Sequence, residues 1–454
     1  MRKATLIVAA LFMMVSASAL ADNVSDHVPV QRVVSPGGIE AWLVQENTVP
    51  VIAINFSVEA GARFDPADRH GLAAFTAGML DEGAGDLDSQ AFKAALEDKA
   101  IRMDFGADDD TISGSLSVLP VYVKDATRLL ALALSKPRFD KTAIERVRGQ
   151  ILVSLAEDES NPDSIASKAW FATALKGHPY SYPAYGTPES IKRITRSDIA
   201  KFFAHSIGRE RIKIAAVGPI DAKSLGEMID AVFGGLPQLG SAPAAPEIAI
   251  VSQSAPLIIS RDIPQSVVQF GAASVRPNVA DAMPTYVMNY IYGGGSFASR
   301  LMDEIREKRG LTYGISTGVY YFQGGGLILG SFSTRNETAG EAYRLLVSET
   351  ERIARGGVTD KELADAKTYL TGSFALRFDS NEKIARQLLA FQFLGYPIDY
   401  INRRNSLVEA VTKADIARVA ARLLKKERFV FVIVGSPKGI GESDAVPPAA
   451  GARH

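Results

Sequence analysis

Cysteine is absent from this chain of 454 residues, which excludes thiolate nucleophiles, cysteine-ligated zinc and disulfide staples. Histidine is nearly as scarce. The five are His27, His70, His178, His205 and His454, and no two are spaced three or four apart, so no single helix offers a metal two imidazoles. Charge of one sign is also missing: 50 Lys and Arg face 51 Asp and Glu, for a formal net charge of −1. That balance argues against a nucleic-acid partner and against a solvating acidic tail. Apart from one short N-terminal stretch, no long hydrophobic run occurs. Ala4 to Val15 is apolar, follows Arg2 and Lys3, and leads into Ala19-Leu20-Ala21. It falls short of the roughly 20 residues that span a bilayer. The arrangement predicts a signal peptide over 1–21, cleaved before Asp22, and a mature chain with no membrane anchor. Loss of Arg2 and Lys3 takes the net charge from −1 to −3. The expected location is outside the cytoplasm, the periplasm in a Gram-negative bacterium.

What is present is a globular composition, 47% hydrophobic and 22% charged, on a length that suggests two or more domains. Such a chain can bury a large core without disulfides. The segment LPQLGSAPAAP, Leu236 to Pro246, reads as a linker. The sequences flanking it resemble each other. TRSDIAKFFAHSIGRERIKIAAVG, Thr195 to Gly218, aligns without a gap to TKADIARVAARLLKKERFVFVIVG, Thr412 to Gly435, at a constant offset of 217. Thr195 and Thr412 each precede an acid by three residues, a capping-box variant that opens a helix, and each segment closes in a β-branched run that reads as a buried strand. Asp140 with Asp360, Asn161 with Asn381 and Gly177 with Gly395 extend the match. The duplication predicts an N-terminal domain over 28–235, a linker over 236–246, a C-terminal domain over 247–436 and a disordered tail over 437–454. Alternating runs at Ile52 to Val58, Ile112 to Val118, Val268 to Phe270, Ile315 to Phe322 and Leu327 to Phe332 read as strands. Amphipathic stretches at Asp140 to Ala156 and Glu341 to Arg355 read as helices. The expected fold is α+β, with a mainly antiparallel sheet in each half and helices on one face.

Candidate chemistry is sparse. GGGSFASR, Gly293 to Arg300, lacks the Lys-Ser/Thr of a phosphate loop. Gly294-Gly295-Ser296-Phe297-Ala298 misses the last glycine of a nucleophile elbow. Its glycines suit backbone that must pass close to a neighbour, with a helix starting near Ser296. In SRLMDEIREKRGLTYGIS, Ser299 to Ser316, Gly310 suits a helix C-terminal cap and Tyr313 enters the next strand. Taken alone, Arg306 reads as a solvated charge and Tyr313 as half-buried.

Read together, HGLAAF followed by ML, FDKTAIERVRGQIL, ESNPDSIA and above all GGGSFASRLMDEIREKRGLTY resemble the pitrilysin/insulinase-type zinc metallopeptidases, the inverted zincins that include the mitochondrial processing peptidase. The resemblance covers about residues 30–436. It implies two homologous domains forming half of a clamshell. It also implies a first-domain H-x-x-E-H motif with a later glutamate as the third zinc ligand. Here the motif falls on Ala74-Phe75-Thr76-Ala77-Gly78, so both histidine positions, Ala74 and Gly78, and the general-base position, Ala77, lack their function. The third ligand falls at Ser154. His70 lies one turn earlier and is not a motif residue.

The second-domain signature survives. By the resemblance, Arg306 and Tyr313 bind the substrate backbone and steady the oxyanion in the active site, and Gly293, Gly294, Gly295 and Ser296 resemble a loop linked to substrate recognition. The implied role is a non-catalytic, substrate-binding subunit of an exported heterodimeric peptidase. Zinc is expected only in a homologous partner with intact H-x-x-E-H, and peptides are the expected substrates. A structural or peptide-binding homologue without catalysis is the alternative, and a hydrolase using Ser296 a more remote one.

Overall fold

The computed structural model describes residues 28–440. The expected signal peptide and most of the expected tail lie outside them. Two mixed sheets dominate. The first comprises β1 (Val30–Val34), β2 (Glu40–Gln45), β3 (Ile52–Val58), β4 (Arg102–Ala107), β5 (Ile112–Val118) and β6 (Ile212–Gly218), in the order β1-β2-β6-β3-β5-β4. The second comprises β7 (Leu257–Ser260), β8 (Gln265–Ser274), β9 (Ile315–Phe322), β10 (Gly325–Arg335) and β11 (Val430–Gly435), in the order β7-β11-β8-β10-β9. With β1 set aside the two orders are the same. Each sheet has one parallel pair, β2 with β6 and β7 with β11, and is otherwise antiparallel.

The repeat is visible down to single residues. Thr195 and Thr412 both cap their helices, and Asp198 and Asp415 both close the capping box. Gly218 and Gly435 end β6 and β11 with φ of 143° and 144°. A Cβ at Gly218 would lie 2.5 Å from Val51 O, and one at Gly435 would lie 2.6 Å from Ser266 Oγ. Glycine is needed at both for the same two reasons, backbone angle and close approach. Between the halves, residues 236–256 form no regular element.

Helices cover more than the single face expected. Each half covers one face of its own sheet with its own helices, giving two separate cores. The opposite face is covered by a helix from the other half. Pro162–Ala174, capped by Asn161, packs on β8 and β11, and Trp170 Nε1 donates to Val430 O at 3.0 Å. Asn381–Phe393 packs on β3 and β6, and Gln392 Nε2 donates to Ile214 O at 2.7 Å. The exchange explains why every residue of β3 and β11 is buried, a pattern that requires cover on both faces. It also explains the matched Asn161 and Asn381: the first caps its helix, and the second donates from Nδ2 to Val51 O at 2.7 Å.

A buried polar cluster joins the halves further. Tyr180 Oη donates to Asp110 Oδ1 at 2.6 Å, and Gln323 N, in the β9–β10 turn, donates to Asp110 Oδ2 at 2.9 Å. Arg63 Nε lies 3.1 Å from Asp110 Oδ1, near enough for charge attraction, although its N–H is not aimed for a hydrogen bond. Among the described residues no helix is long and apolar enough to cross a membrane.

Candidate functional site

The residues singled out by sequence fall in two places. The first is the short helix Leu72–Ala77, all six of whose residues are buried. It starts at Gly71, whose φ is 90° and whose absent Cβ leaves room for Tyr185 O at 2.7 Å. Asp65 holds the helix start, accepting from Gly71 N at 2.7 Å and Ala73 N at 2.8 Å. Burial pushes its carboxyl up to about 7, against those backbone donors. Ala74 and Ala77 present methyl groups to packed surroundings. At Gly78 a Cβ would make ordinary contacts, 3.5 Å from Ala74 O and from Val147 Cγ1 on the helix Lys141–Ser160. Ser154, on that same long helix, is exposed. His70 stacks on Tyr182 with ring centroids 4.1 Å apart.

This donor set does not fit zinc. Two methyl groups, a glycine and an exposed hydroxyl offer neither an imidazole nor a carboxylate, and two nearby acids, Asp65 and Glu82, are engaged elsewhere. Asp65 caps the helix, and Glu82 is held by Lys93 at 2.7 Å and by Arg146 and Ser89. Burial opposes ionisation of Glu82, yet these partners keep its pKa below the usual range. Among the described residues, no three His, Cys, Asp or Glu side chains gather to hold a metal ion. Inside the emptied helix, Thr76 Oγ1 is buried without a hydrogen-bond partner.

The second place is the surviving signature. Two π-helical turns occur here, Tyr290–Gly294, which takes in the first two glycines of the loop, and Met302–Glu307 after it, a rare geometry that favours functional sites. The glycines are explained by packing. A Cβ at Gly293 would lie 2.6 Å from Thr317 Oγ1, and one at Gly294 would lie 2.7 Å from Asn289 Nδ2. Asn289 and Thr317 also bond each other, from Thr317 Oγ1 to Asn289 Oδ1 at 2.8 Å, and so pin the loop to β9. Ser296 stands exposed with φ of 51°, and no regular α-helix begins there. A 3-10 turn, Ser296–Ala298, comes first. The described histidines are committed elsewhere: His178 contacts Pro246 O and Tyr180 N, and His205 contacts Lys201 O. Among the described residues no histidine hydrogen-bonds Ser296.

The π-turn resets the helical register. Asp303 pairs with Lys308 at 2.8 Å, five residues on, while Arg306 pairs with its neighbour Glu307. Gly310, with φ of 61°, caps the turn: Gly310 N donates to Arg306 O at 2.7 Å and Leu311 N to Ile305 O at 3.0 Å. Each bond spans one residue more than in a regular Schellman cap, as the wider turn requires. Arg306 lies over the ring of Phe297, 4.6 Å from its centroid. Tyr313 is neither half-buried nor in a strand. It lies two residues before β9 and is 95% exposed. Arg306 and Tyr313 line one open concavity of about 530 Å³, together with Gln265 and Arg335. Sequence reasoning missed Phe297, although its exposed ring between the glycines and Arg306 stands in the signature itself. Arg300, from the same signature, forms a bidentate pair with Glu362 at 2.5 and 2.7 Å and ties the segment to the helix Asp360–Gly372.

Two family profiles match the chain in succession. The family profile described as "Insulinase (Peptidase family M16)" matches residues 42–188, and the one described as "Peptidase M16 inactive domain" matches residues 193–370. A "non-peptidase homolog" of Helicobacter pylori, YmxG, is 26% identical over 87% of this chain and 91% of its own length. The crystal structure of a peptidase M16 inactive domain from Pseudomonas fluorescens superposes with a TM-score of 0.85 at 26% identity, covering 91% of this chain and 99% of that one. A protease from Helicobacter pylori superposes with a TM-score of 0.81 at 17% identity, over 89% and 99% of the two chains, which shows a shared fold.

Proposed function

Because this chain belongs to the insulinase-type peptidase family M16 and carries that family's metal-binding helix without a ligand side chain, we propose that it is the non-catalytic, substrate-binding subunit of an exported two-subunit zinc peptidase. A homologous partner with intact H-x-x-E-H would supply the metal and the general base. Lewis-acid activation of water belongs to that subunit. This chain's own contribution is Arg306 and Tyr313. A guanidinium and a phenol facing the partner's site would hold the peptide backbone and donate hydrogen bonds to the oxygen that gains charge as the peptide bond is attacked.

The observation that carries the reading is the contrast between the two places. Metal chemistry is missing at Ala74, Ala77, Gly78 and Ser154, while Tyr313 stands 95% exposed beside Arg306 in a concavity. A large aromatic presented to solvent just before an edge strand fits a surface that a partner or a substrate completes. The similarity to a non-peptidase homologue and to an inactive domain favours a second reading, a peptide-binding or structural protein with no part in catalysis.

Kinetics of the purified complex separates the two. Arg306→Ala and Tyr313→Phe should each lower kcat by about 10²-fold or more, the usual cost of losing one oxyanion donor, with smaller changes in KM. Unchanged kcat in both variants would exclude the catalytic contribution.

A further inference from the structure

Away from the signature, the second half contains a cavity of about 600 Å³. It lies between the helix Ala282–Asn289, strand β9 and the helices Asn381–Phe393 and Tyr400–Ala410. Its volume is that of a small-molecule site. Three arginines line it, Arg377, Arg403 and Arg404, together with four tyrosines, Tyr286, Tyr321, Tyr396 and Tyr400, and no aspartate or glutamate does.

Arg404 is the unusual member. It is buried, at 5% exposure, and among the described residues it forms no ion pair. Nη1 donates to Leu370 O at 2.6 Å and Asn405 Oδ1 at 3.0 Å, and Nη2 donates to Tyr286 Oη at 3.2 Å. Its guanidinium lies 4.4 Å from the Phe374 ring centroid and 5.3 Å from that of Tyr286. Three of the five guanidinium hydrogens are thus satisfied, all by neutral partners. Arg377 Nη2 approaches the same Tyr286 Oη at 3.5 Å, and among the described residues it too lacks an acid. Arg403 alone is paired, with Asp399 at 3.4 Å.

Two like charges thus converge on one phenol without a carboxylate between them. Burial, together with Arg377, depresses the pKa of Arg404, although a guanidinium still remains charged. A buried charge without a counter-charge is costly, and an anion drawn into the cavity removes that cost. Burial raises the phenols of Tyr321, Tyr396 and Tyr400, so they stay protonated and able to donate. Met283, Val319, Phe374, Phe391 and Leu407 supply apolar wall for the rest of a ligand.

We infer that this cavity binds a small organic anion, a carboxylate or phosphate head held by Arg404 and Arg377 with an aromatic or aliphatic body against the tyrosines. The site is independent of the subunit role, because its test reads binding and no peptidase activity. The mature chain is titrated calorimetrically with phenylacetate, phenyl phosphate, uncharged phenylacetamide and inorganic phosphate. One or both aromatic anions should bind at least about tenfold more tightly than phenylacetamide, and the stronger of the two identifies the head group. Arg377→Gln and Arg404→Gln should each weaken that anion by about tenfold, the cost of one charge-assisted hydrogen bond, and Arg355→Gln on a distant helix should not. Arg377 is exposed, so its variant keeps the test decisive if Arg404→Gln fails to fold. Failure of both aromatic anions to bind, equal affinity for phenylacetamide, or unchanged affinity in Arg377→Gln would overturn the assignment. Equal affinity for inorganic phosphate would overturn the apolar body.

Discussion

At Gly78 the protein has room for a side chain, at Ala74 and Ala77 it has filled the space, and at Ser154 the position faces water. These different environments explain why no one substitution brings back a metal site. Gly78→His should fold, because its Cβ meets nothing closer than 3.5 Å, and should carry no stoichiometric zinc in metal analysis. One imidazole is far from the three protein ligands that zinc requires, so only restoration at 74, 78 and 154 together can supply them. Zinc bound by the single variant would mean that another side chain completes the site. Glu362 is a second residue with a measurable signature. Burial pushes its carboxyl up, but Arg300 and Thr359 outweigh that and hold it at about 2, below its ordinary 4.5. A depressed carboxylate stabilises the fold at pH above the unfolded value and loses that contribution as pH falls from 4.5 toward about 2. Denaturant titrations across this window should show a flatter loss of stability in Arg300→Met than in the parent. An unchanged slope would mean that other donors depress Glu362. Of the candidate site residues, Arg306 was singled out through its motif, but its stacking on Phe297 was not legible, since that contact depends on a π-turn that no apolar spacing announces.

Among the elements, the strands with clear alternation or β-branched runs read well, β1, β2, β4 and β7 were not read, and the covering of the sheets read poorly. Ile315 to Phe322 appears as β9 with the expected ends, because alternation and flanking glycines report a local pleat. The exchange of Pro162–Ala174 and Asn381–Phe393 between halves is a long-range event, and the matched Asn161 and Asn381 hinted at equivalence without saying where either helix packs. The strand-ending glycines were legible as a pair, and their common cause is now physical. Gly218→Ala and Gly435→Ala should each cost about 1–3 kcal/mol in urea unfolding, since each adds a Cβ at a φ that side-chain-bearing residues avoid and against a close neighbour. A variant as stable as the parent would show that the strand end can relax.

For the whole molecule, the lent helices and the Asp110 cluster make each half depend on the other. The family's two-domain architecture is retained while the chemistry of its first domain is gone, so an intact scaffold does not certify activity. On this account the missing metal chemistry resides in a second subunit and the exposed Arg306 and Tyr313 await it. The most direct test is to co-purify the mature chain with an exported homologue bearing H-x-x-E-H, then measure zinc and peptide cleavage for each subunit and for the complex. The account predicts zinc on the partner, none on this chain, and cleavage that requires both. Stoichiometric zinc on the isolated chain, peptide hydrolysis by it alone, or full activity of the partner without it would contradict the account.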